Sequence, residues 1–195
     1  MDGYQKRTEK KKDSIRNAAM ELFSEFGFEK VTVAEIAKKA NVSPVTIYNY
    51  FGNKDDLVKH VISHSLNEAI NERKAVIESN IPFPDKIKNL IFEKAAYIET
   101  VDPDFLQKLM SNDPEIKKIV DEMYQKAMPL LVQLFEEGKR EGYIDETIST
   151  ETLLMYVNMF KHAGNQYQLF DSPEKNAQIT KEIGQLFFYG LLKKK

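Results

Sequence analysis

Two short helical patterns follow one another between Val31 and Lys54, VTVAEIAKKANVSPVTIYNYFGNK, with only Asn41, Val42 and Ser43 between them. Thr32, followed three residues later by Glu35, forms a capping box in which hydroxyl and carboxylate satisfy orphan backbone donors of a first helical turn. Behind it Val33, Ile36, Ala37 and Ala40 recur at helical spacing. Ser43 and Pro44 then supply an N-cap and a residue whose fixed φ suits the first helical position, so a second helix begins almost at once. Gly52 stops that helix, and Asn53 with Lys54 opens a third. The stretch reads as a helix-turn-helix.

At about 100° per residue, Ile47 and Phe51 share one side of the second helix, with Pro44 between their directions; this is the face to be buried. Val45, Thr46, Asn49 and Tyr50 spread over the opposite arc and Tyr48 lies at its margin. None of these five is needed to bury the helix. Hydroxyls and an amide are suited to phosphate oxygens and base edges, and the methyls of Val45 and Thr46 to a thymine methyl. The partner expected is double-stranded DNA, with Thr32, Tyr48, Tyr50 and Lys54 on phosphate and Val45, Thr46 and Asn49 nearest the bases. Lys54, at a helix N-terminus, is poorly placed for the macrodipole but well placed for a phosphate.

These residues carry a family resemblance. From Ser14 onward, IRNAAMELFSEFGFEKVTVAEIA and TIYNYFGNKDDLV resemble the N-terminal signature of the tetracycline-repressor (TetR) family of bacterial regulators, over about 45 of 195 residues. Val45 departs from the pattern, since many members carry a small residue, often glycine, just before the threonine. The resemblance implies a homodimer, repression of transcription, and a small-molecule cavity among the helices behind the DNA-binding head.

The charge distribution agrees with a DNA partner despite a net charge of -2. Residues 1–60 hold 11 Lys or Arg against 9 Asp or Glu, whereas the remainder holds 17 against 21. Lys6, Arg7, Lys10, Lys11, Lys12 and Arg16 cluster before and inside the first helix pattern, either as a flexible arm that follows DNA or as a solvated tail. With 42% hydrophobic and 11% aromatic residues, the chain has ample material for a core. It has no Cys, which removes disulfides and thiolate metal sites. No apolar run approaches the roughly 18 residues of a membrane span, and the N-terminus lacks an apolar signal region, so a cytoplasmic protein is expected.

Taken in order, Ile15, Ala18, Ala19, Leu22, Phe23 and Phe26 define a first helix from about Asp13 to Gly27. With Phe28, Ile36, Ile47 and Phe51 they suffice for the core of a three-helix head. Helix four runs uninterrupted from near Lys54 past Val76, and Asn80 to Pro84 breaks it. No strand-like alternation follows, only helix patterns: Asp85 to about Thr100, Asp104 to Met110, Pro114 to Glu141, Ser149 to Phe170 and Pro173 to Leu192. Pro129 should kink or divide the third of these. The fold expected is all-α, about nine helices: a helix-turn-helix DNA-binding domain over 1–54, helix four as connector over about 54–79, and a helical effector-binding and dimerisation domain over 55–195.

Residues 153–160 are apolar nearly all round the helix, as expected of an element buried on more than one side. The last helix carries a stripe of Ile179, Ile183, Leu186, Phe187, Gly190 and Leu191, and Ala163 and Gly164 permit close helix approach. These residues are expected to pair with their copies in a second subunit as a four-helix bundle. For the effector cavity that the resemblance implies, Phe92, Tyr97, Phe105, Met123, Tyr124, Met155 and Met159 are the adaptable groups, with His162 at the polar end of a small, largely apolar ligand. Asn158, His162 and Asn165 line up at i, i+4, i+7, and an interhelical hydrogen-bond network explains them equally.

His60 and His64, flanked by Asp56 and Glu68 at the same spacing, have a geometry able to hold a divalent metal, but charged residues so spaced usually just support a surface helix. No metal and no cofactor are expected. Catalysis has no support either: there is no glycine-rich phosphate loop, no nucleophile elbow, and only three histidines. A helical adaptor binding protein instead of DNA shares the composition, but leaves Thr46, Asn49, Tyr50 and Lys54 without a role.

Overall fold

The computed structural model of the protein describes residues 3–90, 108–109, 111–164 and 173–191. Every regular element among the described residues is helical and none is a strand. They are α1 (Gly3–Phe26), α2 (Val33–Lys39), α3 (Pro44–Phe51), α4 (Lys54–Glu78), α5 (83–90), α6 (Pro114–Arg140), α7 (Thr150–Gly164) and α8 (Pro173–Leu191).

Two boundaries differ from the sequence reading. The basic segment before Asp13 is neither a free arm nor a tail: α1 already begins at Gly3. The reason is local, since Gln5 to Lys12 consists of good helix formers apart from Thr8, with no Gly or Pro to stop it. α6 is also not divided at Pro129, which sits inside a continuous helix. The flanking Leu130, Leu131 and Leu134 all pack in one core, and that burial outweighs the one backbone bond a proline forfeits.

The chain forms two compact units. The first holds the described residues of 1–68 and 101–120. Its core joins Ile15, Ala19 and Phe23 of α1 to Ile36 of α2, Ile47 and Phe51 of α3, and Leu57 and Ile62 of α4. Ile116 is wholly buried in the same cluster, and Leu109, Ile119 and Val120 pack against it. Phe23 and Phe28 meet with ring centroids 4.8 Å apart. Phe26, expected in this core, is instead 45% exposed. It is the last residue of α1, and Gly27, at φ 78, turns the chain so that Phe28 enters the space in its place.

The second unit holds the described residues of 69–100 and 121–195. Ile77, Phe83, Ile87, Leu134, Phe135, Ile144 and Leu153 make its core. Gly138 faces this cluster so closely that an added Cβ would lie 2.6 Å from Phe83 Cζ and 2.8 Å from Ile144 Cδ1. Gly138→Ala adds about 1 kcal/mol of helix propensity but overpacks a core against a buried ring, at about 1 to 3 kcal/mol. A net loss of stability is expected, read as a lower urea midpoint at unchanged slope; an Ala variant as stable as the parent would show that Phe83 yields freely.

Candidate nucleic-acid interface

The capping box opening α2 is present in full. Thr32 N–H and Thr32 Oγ1 both donate to Glu35 Oε2 at 2.7 Å, and Glu35 N–H donates back to Thr32 Oγ1 at 3.3 Å. The Thr32 hydroxyl, and after it the Thr32 backbone N–H, hold the Glu35 carboxyl below the usual carboxylate range. This cap therefore persists above the ordinary carboxylate pKa and loosens as pH falls through the lowered one. α2 ends at Ala40, and Asn41, at φ 54, makes the left-handed turn that an asparagine tolerates. Ser43 then caps α3, accepting from Thr46 N–H at 3.2 Å, with Pro44 in the first turn.

This local chemistry fixes which face of α3 points outward. Ile47 and Phe51 are buried. Val45 is 64% and Tyr48 50% exposed, large apolar areas that the head leaves uncovered at the start and middle of the helix. Asn49 is exposed between them. Thr46 is half-buried with its hydroxyl 2.9 Å from Ser43 Oγ. Tyr50 lies elsewhere than the wheel placed it: it is half-buried and packs against the head's core, so its ring is structural whatever its hydroxyl does. Lys54 Nζ donates to Glu29 O at 3.3 Å, which ties the start of α4 to the segment leading into α2. Lys54 also borders an open hollow of about 600 Å³ with Phe28, Glu29, Lys59, Lys108 and Asp113.

The other residues singled out from sequence fall in varied places. The rings of His60 and Phe51 meet edge to face, 5.4 Å between centroids, and His64 Nε2 lies 3.4 Å from Glu68 Oε1. No group of three or more His, Asp or Glu converges as a metal site among the described residues. Met123 is buried, and Tyr124 donates to Asn158 Oδ1 at 2.6 Å, so the Asn158 side-chain carbonyl has a partner on another helix. Met155 and Met159 are 68% and 67% exposed on one side of α7. On α8, Ile183 and Leu186 are 42% and 68% exposed and Gly190 is exposed on the same stripe, with Ile179 half-buried behind them. Phe92, Tyr97, Phe105 and Asn165 lie outside the described residues, as do the side chains of His162, Ala163, Gly164, Phe187 and Leu191. Two groups the sequence reading missed are Arg73 and the Lys86–Glu137 pair. Arg73 was visible in principle, because it interrupts an apolar stripe; the pair was not, because 51 residues separate its members.

A three-helix head whose third helix is anchored by two buried side chains and presents a mixed apolar and polar face defines the class: a helix-turn-helix, DNA-binding regulator. Residues 15–61 match the family described as bacterial regulatory proteins, tetR family. The chain is 28% identical over 194 residues to the HTH-type transcriptional regulator YdgC of Bacillus subtilis, itself uncharacterised, covering 97% of this chain and 96% of that one. It is 26% identical over 136 residues to the fatty acid metabolism regulator protein of the same organism, 68% of this chain and 70% of that one. In fold it resembles the transcriptional regulator FadR from Bacillus subtilis in complex with stearoyl-CoA, at TM-score 0.59 and 19% identity, over 92% of this chain and 98% of that one. The family matched by residues 15–61 and the relatives of the whole chain are bacterial transcriptional regulators. No helix among the described residues is long and apolar enough to cross a membrane.

Proposed function

We propose that this protein is a cytoplasmic homodimeric repressor that binds a palindromic operator and is released from it by a small, largely apolar effector. The observation that carries the reading is the outward face of α3: Val45, Tyr48 and Asn49 are exposed over the buried Ile47 and Phe51. Val45, Thr46 and Asn49 read bases, while Thr32, Tyr48, Tyr50 and Lys54 hold phosphates. The Thr32 hydroxyl already donates inside its own cap, so it meets phosphate as the weakest of these. Two such helices enter successive major grooves when their centres lie about 34 to 36 Å apart, one turn of B-DNA.

In this reading residues 1–54 form the DNA-binding domain and 55–195 the effector and dimerisation domain. The exposed faces of α7 and α8, Met155 and Met159 with Ile183, Leu186 and Gly190, pair across a two-fold axis. Met123 and Tyr124, with Phe92, Tyr97, Phe105 and His162, are the candidates for the effector site. A fatty acyl compound is the first effector to try, because one relative is named for fatty acid metabolism and one similar fold holds stearoyl-CoA. Release follows only if the effector prefers a geometry in which the two recognition helices no longer match the operator.

The test uses DNA from the chain's own promoter region. Lys54→Ala should weaken binding to all sequences alike and flatten the salt dependence by about one phosphate contact per subunit, whereas Asn49→Ala should relax preference at particular base pairs by about 1 to 3 kcal/mol. Variants that bind as the parent does, at every salt concentration and on every sequence, would refute this assignment.

A further inference from the structure

The half-buried and buried cations of this protein are, with few exceptions, given carboxylates. In the first unit Arg16 has Asp13 as a partner and Glu9 at 3.7 Å, and Lys59 has Asp56 at 3.6 Å as well as Glu115. In the second, Lys139 has Glu136 at 3.5 Å, and the buried Lys86 has both Glu137 at 2.6 Å and the carbonyl of Ile77 at 2.7 Å. Arg73 of α4 is treated differently. Its guanidinium is part-buried and Nη1 donates at 2.9 Å to the carbonyl of Ala69, one turn back in its own helix. No carboxylate pairs with it among the described residues.

Its register makes this notable. Arg73 lies four residues from Ile77, within about 40° of it at 100° per residue. Ile77 belongs to the core of the second unit, so Arg73, one turn before it, lies near the side of α4 that this core covers. Desolvation by that burial lowers the guanidinium's pKa from its usual range, with the charge of Glu72 acting the other way. A desolvated cation lacking a counter-charge reduces stability, and a fold that keeps one has a use for it. The second unit shows with Lys86 that it can neutralise a buried cation within its own chain.

We propose that Arg73 receives the anionic head, carboxylate or phosphate, of the effector, so that the ligand is an amphipathic anion rather than a neutral apolar molecule. The planar guanidinium matches two oxygens of such a head at once, which the compact ammonium of a lysine does not. This inference rests on the effector reading above and adds the sign of the ligand's charge and the residue that reads it.

The experiment measures thermal unfolding of the full chain and of Arg73→Met, Arg73→Gln and Arg73→Lys, each with dodecanoate, dodecyl phosphate or dodecanol below micellar concentration. Without ligand, Arg73→Met is expected to melt above the parent, because an uncompensated charge has been replaced by an apolar chain of similar length. With ligand, the parent is expected to respond at least about tenfold more strongly to dodecanoate, dodecyl phosphate or both than to dodecanol. Arg73→Met and Arg73→Gln should lose that preference while keeping the dodecanol response, and Arg73→Lys should keep only part of it. Which anion acts at the lower concentration tells carboxylate from phosphate. The proposal is overturned if Arg73→Met melts below the parent, since Arg73 is then structural, or if both neutral variants keep the anion preference. A parent responding to dodecanol alone overturns the role of Arg73 and leaves an apolar effector in place; a parent responding to none of the three overturns both.

Discussion

Lys86→Met is expected to destabilise the protein by about 3 to 5 kcal/mol, the range for removing one partner of a buried ion pair. Lys86, on α5, and Glu137, on α6, are both nearly inaccessible, 4% and 8% exposed, and their charged atoms lie 2.6 Å apart. Taking the ammonium away strands the buried Glu137 carboxylate, where desolvation is not repaid. It also removes the donor that satisfies Ile77 O in the last turn of α4, one of the carbonyls a helix leaves unpaired at its C-terminus. Each effect alone is worth about 1 to 3 kcal/mol, and they act together.

The pair as a whole is a different matter, because its mutual attraction only roughly offsets the desolvation of two charges. Lys86→Met combined with Glu137→Leu should therefore recover most of the loss, leaving chiefly the orphaned Ile77 carbonyl. Melting temperatures check both statements: a drop of about 10 °C for the single variant is expected in a chain of this size, with the double variant between it and the parent. A single variant within a degree or two of the parent would mean that Glu137 reaches solvent by a small movement.

Met155→Glu with Leu186→Glu is expected to make the protein monomeric at micromolar concentration and to abolish tight operator binding. The two side chains are each 68% exposed in the single chain, on different helices of the same unit. If their faces pair across a two-fold axis, four such side chains leave water in the dimer, each contributing about 1.5 to 3 kcal/mol. Replacing them loses about 6 kcal/mol or more, which at 1.4 kcal/mol per decade is at least about four decades in the dimer dissociation constant. The carboxylates weaken it further, because like charges are brought together across the axis. Light scattering gives the mass, and unfolding of each variant guards against a folding defect, which is not expected because both positions face solvent in the protomer. A parent with the mass of one chain, or a double variant still dimeric, would place the interface elsewhere or remove it.

How much of this was readable without coordinates follows the range of the forces involved. The capping box of Thr32 and Glu35, the cap at Ser43 and Pro44, and the anchors Ile47 and Phe51 are set by groups three or four residues apart, and the structure has each of them as the spacing implied. Gly27 and Gly52 stopped helices for an equally local reason, both at positive φ. The start of α1 at Gly3 is local too, set by the helix propensity of the charged run before Asp13.

The exposure of Phe26, Met155 and Met159 and the half-burial of Tyr50 have another cause. Periodicity identifies an apolar face but not which element covers it, and more than one face was available at each of these positions. How much of Tyr50 is buried beside the exposed Tyr48 depended on how α3 rolls on the head's core, and how far Met155 is exposed on where α7 finds neighbours. Lys86 meets Glu137, and Ile116 enters the head's core, only because the chain returns across tens of residues, a choice made by packing and desolvation summed over the whole unit. The sequence by itself determined the helices, their caps and the anchored side of α3, since hydrogen bonds and side-chain spacing within a turn decide those. Only the tertiary structure decided which apolar faces stay bare, which buried charges are paired, and that Arg73 has no carboxylate partner among the described residues, because each of these depends on what the chain brings from far away.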